Sequence, residues 1–373
     1  MDRRLFLQLA AAPVLLGAEE TPSYKIVSHY QPAAGTHAPG PYRGQVARVQ
    51  SETVIDTASK RVDQASVDRM LSAGMTTLTG QRSEKDAWAS FFNAGDLVGI
   101  KVNCSGAPDM CATPEVVGGI VRNLMAVGVK ATNIYIYERF LDQLNSVHYE
   151  RHVPQGVNVF AVETPRGSLL NYDPKTYVEV SFFGEDDTRS CLARLVTERF
   201  TKIINVPNAK EHQAAGVTGC LKNLAYGDFS NVARSHMREK TNTLSFIGTL
   251  ASVEPLRSKC VLNIMDGIRA IWHGGPIPET RDYDFYPKTM LFGTDPVAID
   301  RLLLDMIEEK RKAEGAPSLF DRSVDLIDRS RGAHKNSHRN TFIREPGHIE
   351  YAAKHFGLGE YDRSKIKVAT VEA

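Results

Sequence analysis

No C-x-x-C pair occurs in the 373 residues, and the five cysteines, Cys104, Cys111, Cys191, Cys220 and Cys260, stand apart from one another. A zinc knuckle and a ferredoxin-type cysteine run are thereby excluded, so an iron–sulfur cluster is not expected. The Walker A spacing, G-x-G-x-x-G, G-x-S-x-G and H-E-x-x-H are missing as well, which removes the phosphate-loop, dinucleotide, serine-hydrolase and zincin readings. An excess of charge of one sign is also lacking: 45 basic against 44 acidic side chains leave +1, no field for wrapping nucleic acid. Apolar runs stay well short of the roughly 20 residues that cross a bilayer, so no stable membrane span is expected. No repeat recurs at a fixed period.

What remains is enough to fold. At 42% hydrophobic content the chain can bury the core of one large domain or two ordinary ones. Its first residues run basic pair, apolar stretch, small residues: Arg3-Arg4-Leu5-Phe6-Leu7, then Leu9 to Leu16, then Gly17-Ala18. That order predicts a twin-arginine signal peptide over residues 1–18, with the twin-arginine translocase as partner during export and a periplasmic or other extracytoplasmic destination. In an oxidising compartment Cys104 and Cys111 are the most local candidates for a disulfide.

Residues 19–95 read as an N-terminal arm, irregular to about residue 60, then helical near 64–76 and 83–93. From Asp96 strand and helix alternate. Leu97 to Asn103 is an apolar, β-branched strand; Thr113 caps a helix opened by Pro114 and ended at Gly128; Asn133 to Glu138 is the next strand. Such a unit is right-handed, which makes the two strands parallel. Further strands are expected at 157–162, 177–182, 202–206, 260–265 and 289–292, with helices at 190–199, 246–254 and 296–314. The fold class is α/β: a mostly parallel sheet with helices on both faces over residues 96–300, plus a helical C-terminal extension, 301–373, packed on that core and closing with a strand at 365–369.

In such sheets ligands bind beyond the carboxyl ends of the strands, so strand ends carry the candidate chemistry. Lys101 and Asn103 point to one face of the first strand, and a lysine there needs a partner or an anion. Glu138 ends the second strand, where it can hold a cation, take a proton or cap a helix. The richest segment runs from Asn205 to Leu224, a polar loop carrying Lys210, His212, Thr218, Lys222 and Asn223, with a helix starting near Thr218 whose N-terminus would face an anion. Arg234 and His236 continue it. Asp266 ends another strand near His273, a pair that can bind metal or act as base and orienter. Asp295 caps a helix opened by Pro296. His334 and His338 share only an i, i+4 spacing.

These strand-end segments resemble the domain-of-unknown-function 362 family. The resemblance rests on Gly99 to Asn103, the helix from Thr113 to Gly128, Ile203 to Pro207 with Lys210, His212, Thr218, Lys222 and Asn223, then Met265-Asp266-Gly267, and Gly293 to Asp300. It implies redox work for members with an added ferredoxin-type segment, a segment this chain lacks. The expected function is an envelope enzyme that binds a small anionic ligand or metal-bound cofactor, the cofactor being unnamed beyond a candidate metal ion. Lys210, His212, Lys222 and Asp266 are the catalytic candidates; Lys101, Asn103, Thr218, Asn223, Arg234 and His236 are ligand-binding; Glu138, His212, Asp266 and His273 are metal ligands. The alternative is a non-catalytic periplasmic binding module.

Overall fold

The computed structural model describes residues 21–31, 38–236, 241–278, 280–321 and 345–373. The expected signal peptide and the His334–His338 pair lie outside these residues.

The strand Val98–Val102 is buried at every position, and it pairs in parallel with Ile134–Phe140 on one side and Lys202–Val206 on the other. A strand covered on both faces needs an apolar run rather than alternation, which is what Val98, Ile100 and Val102 supply. Between the first two strands lies the helix Pro114–Ala126, completing the crossover unit; Thr113 stands at its N-cap position, but its side chain makes no capping hydrogen bond.

Outward from this centre the sheet runs Asn158–Glu163, Ile134–Phe140, Val98–Val102, Lys202–Val206, Cys260–Ile271, Thr289–Gly293, Gln45–Gln50 and Lys367–Glu372. Five of the seven pairings along this path are parallel, and Thr289–Gly293 runs antiparallel to both of its neighbours. One face is covered by Gln64–Thr79, Glu84–Ala89 and Pro114–Ala126, packed through Val67, Met70, Trp88, Val116 and Ile120. The other carries Gly219–Asp228, Thr243–Ala251, Pro296–Ala313 and His348–Phe356, packed through Leu221, Phe246, Leu303 and Ile349. Each such side chain contributes about 1.5–3 kcal/mol of burial, so the two apolar faces fix the layering. A smaller antiparallel sheet of Lys25–Val27, Tyr172–Glu179 and Arg189–Ala193 stands beside this core.

The structure departs from expectation in five places. The strand expected at 177–182 is Tyr172–Glu179, and it belongs to the small antiparallel sheet rather than the central one. The arm is not irregular throughout: Gln45–Gln50 is a strand of the central sheet, and Lys367–Glu372 pairs with it, so arm and extension both complete the core. Ser190 to Arg199 is not one helix. Its first half is the strand Arg189–Ala193, because Ser190 and Leu192 are buried at strand spacing, and only Leu195–Arg199 is helical, as a short π turn. The stretch after Pro207 is not a solvated loop but the strand Asn208–His212, buried at all five positions and paired in parallel with Cys260–Ile271. Cys104 and Cys111 are free thiols rather than a disulfide: Cys104 Sγ faces the Tyr149 hydroxyl at 3.9 Å and Cys111 Sγ the Pro108 carbonyl at 3.3 Å.

Candidate functional site

Lys101, Ile134–Phe140 and Lys202–Val206 deliver polar groups to one edge of the sheet. Lys101 Nζ donates to Glu138 Oε1 at 2.9 Å, to the Val102 carbonyl at 2.6 Å and to Asn223 Oδ1 at 3.4 Å. Glu138 also accepts from the Cys104 amide at 3.0 Å and the Arg139 amide at 2.6 Å. Gly227 makes room for this lysine, since a Cβ there would collide with Lys101 Cε and Nζ. Both charges of the pair are thus buried and hydrogen-bonded, the condition under which an interior ion pair persists.

Beside it a row of amides crosses the strands. Asn103 Nδ2 donates to Asn223 Oδ1 at 3.1 Å, Asn223 Nδ2 to Asn205 Oδ1 at 2.8 Å, and Asn205 Nδ2 to Asn263 Oδ1 at 2.8 Å. Asn205 sits opposite Lys101 in one register and Asn263 in the next, so parallel pairing itself aligns the row.

The helix Gly219–Asp228 brings Lys222 and, one turn on, Tyr226 to the same place. Lys222 Nζ rests over the Tyr226 ring, 4.3 Å from its centroid, and makes no ion pair among the described residues. Burial pushes its ammonium down to about 7, helped by the positive charges of Lys210 and Arg139 and opposed by Glu138. His212 Nδ1 accepts from the Ala214 and Ala215 amides at 3.1 and 3.3 Å, which places the proton of the neutral ring on Nε2. Its ring lies 5.2 Å from that of His236. Burial, then the charge of Lys222, hold His212 well below the usual imidazole range and His236 down to about 3, so both are neutral near pH 7.

These groups enclose a cavity of about 240 Å³. Seven of the twelve residues singled out in the sequence line it: Asn103, Glu138, His212, Thr218, Lys222, Asn223 and His236. Among the lining residues, Asn103 Oδ1, Thr218 Oγ1 and His236 Nε2 have no hydrogen-bond partner among the described residues.

The other five stand elsewhere or behind the wall. Lys101 stands behind the wall, paired with Glu138. Lys210 spends its ammonium on the Ser105 and Met110 carbonyls and so pins the segment that follows the first strand. Asp266 accepts from the Thr113 amide at 2.6 Å and the Ile268 amide at 3.0 Å, anchoring the start of Pro114–Ala126. Arg234 is bound to Glu185 at 2.6 Å and to the Val180 and Thr188 carbonyls at 2.5 and 2.9 Å, beside the small sheet. His273 Nδ1 meets Arg311 at 3.1 Å. The expected metal set of Glu138, His212, Asp266 and His273 therefore does not assemble, and no group of three or more potential ligands gathers among the described residues. Nor does the helix N-terminus near Thr218 await an outside anion: the Cys220 and Leu221 amides donate to Asp300 at 2.5 and 2.9 Å.

Sequence reasoning missed Arg139, Tyr226 and Gly227, which line the same cavity. Tyr226 was within reach, being four residues beyond Lys222 on a helix. Arg139 Nε donates to Glu163 at 2.6 Å while its guanidinium lies over Phe140, 4.8 Å from the ring centroid.

A cavity at the carboxyl ends of parallel strands, walled by one helix of the covering layer, defines an α/β protein with a strand-end cavity. Residues 98–305 match the family described as Domain of unknown function (DUF362), and the chain belongs to that family. No curated protein matches the chain in sequence.

Proposed function

We propose that the protein is an enzyme of the cell envelope, exported in its folded state by the twin-arginine route, that binds a small anionic ligand in this cavity with Lys222 as the charge that meets it. The observation that carries the reading is the lysine itself: 8% exposed, unpaired, and facing a cavity whose lining carboxylate, Glu138, is already engaged by Lys101. An unpaired buried ammonium is costly, and a ligand anion relieves that cost. Enzymatic work rather than simple binding is supported by the company it keeps, two neutral imidazoles and an amine titrating near 7, which are groups suited to moving protons. The basic pair and apolar run at Arg3 to Leu16 support export.

The test is calorimetric titration of the purified protein with acetate, pyruvate, succinate and phosphate at pH 6.5. At least one should bind, and Lys222→Met should weaken it about tenfold or more, the loss of one charge-assisted hydrogen bond. Equal binding by the variant, or no binding of any of these anions, overturns the reading.

A further inference from the structure

Three lysines cluster behind the strand ends, and their surroundings differ. Lys101 has three oxygen acceptors and Lys210 two, so their lone pairs are committed to protons held in hydrogen bonds. Lys222 has neither an acceptor nor a carboxylate partner among the described residues; it has an aromatic face beneath it and a cavity in front. Arg139 lines the same cavity, its Nε tied to Glu163 and its guanidinium over Phe140. The cavity, about 240 Å³, is small beside the roughly 300–1,000 Å³ of ordinary ligand pockets, which suits a small ligand.

We infer that Lys222 is a nucleophile that forms an imine with the carbonyl of a short oxo acid, whose carboxylate is met by Arg139. This rests on the anion-binding reading above and names its substrate class: the ammonium form of Lys222 draws the acid in beside Arg139, and the fraction of that group deprotonated near pH 7 attacks. In the step, the Nζ lone pair attacks the carbonyl carbon, the C–O π bond opens, and the oxygen takes a proton as the nitrogen loses one. The resulting carbinolamine expels its hydroxyl as water after a second protonation, leaving a protonated C=N bond to Lys222. No oxidant or reductant is consumed. His212, with its proton on Nε2, and His236, whose Nε2 has no partner among the described residues, line the same cavity as the amine and are the groups that carry these protons. The step starts from the neutral amine and ends at a cation, so it takes up one proton overall and leaves the nitrogen with the charge of the protonated lysine. Nucleophilic lysines need the free amine near neutral pH, and a desolvated site beside other cations supplies it. The groups whose charge bears on Lys222 or that share its cavity are Tyr226 on its own helix, His212 and His236 in the cavity wall, His348 buried behind it, and Arg139, Lys210 and Glu138 at the strand ends.

The experiment is reductive trapping. The full protein is incubated with pyruvate or glyoxylate and sodium cyanoborohydride, then weighed intact and digested. A single adduct heavier by the acid less one oxygen atom, on the peptide that runs from Glu211 through Lys222, is expected; Lys222→Arg should lose it. Its rate should rise with a midpoint near pH 7 rather than 10.5, which a surface lysine would not give. Lactate, which has no carbonyl, is titrated in parallel. If lactate binds and pyruvate is not trapped at Lys222, the imine is wrong while the anion site stands. If neither binds nor traps, both fall. Adducts scattered over many lysines with no preference for Lys222 also overturn the inference.

Discussion

Glu138 accepts three hydrogen bonds and one charge, and each donor comes from a different part of the site: Lys101 from the neighbouring strand, the Cys104 amide from the segment after it, the Arg139 amide from its own. Glu138→Gln removes the charge that balances a wholly buried ammonium. Breaking a buried pair from one side costs about 3–5 kcal/mol, so the variant should unfold at markedly lower urea, with the slope unchanged. A urea midpoint equal to that of the wild type would mean that water, not Glu138, solvates Lys101. At this scale the site was legible in part. Lys222, His212, Thr218 and Asn223 could be picked out because so many polar groups after one strand outweigh the alternative of a plain solvated loop. Lys210 shares that density and Asp266 lies in another strand, and both are absent from the cavity, because what decides their use is which backbone groups they meet. Lys210 finds two carbonyls and Asp266 two amides, partners that carry no signal in side-chain composition.

Among the elements, the helix Gly219–Asp228 carries the reactive lysine, and its direction is set by a carboxylate from another helix. Asp300, in Pro296–Ala313, accepts the first amides of Gly219–Asp228, and Gly219 leaves the space for it at a backbone φ of +61°. Asp300→Ala should cost about 1–3 kcal/mol by stranding two amides in a dry interior, and should weaken whatever anion Lys222 binds. Unchanged ligand affinity at reduced stability would separate the cap from the site. Strands with continuous apolar runs, such as Lys202–Val206, fell where the sequence placed them. Asn208–His212 did not, because Asn, Lys, Glu and His in succession read as solvent-facing, and only the contacts made by their tips allow full burial. The same limit applies to Arg189–Ala193, whose short period-2 pattern is masked by the helical spacing that follows it.

Across the whole molecule, burial leaves several histidines neutral at once. His236 is pushed down to about 3 and His348 to about 4, both first by desolvation and with Lys222 adding to it. The unfolded chain protonates these rings near 6.5 while the folded one does not until well below, so unfolding takes up protons between about 6.5 and 4. Stability present at pH 7 is therefore lost as the pH falls through that window, by on the order of 2 kcal/mol for His348 alone at pH 5. Urea denaturation at pH 7 and pH 5 should show the drop, and His348→Phe should make it smaller; a flat profile would mean the rings are hydrated. The parallel pairing of Gln45–Gln50 with Lys367–Glu372 carries a different kind of consequence. A growing polypeptide holds its early strand for most of its time on the ribosome with that edge uncovered, and the sheet cannot close until residue 372 has left the exit tunnel. Contacts so distant in sequence fold slowly, so nascent chains should depend on holding chaperones during that interval.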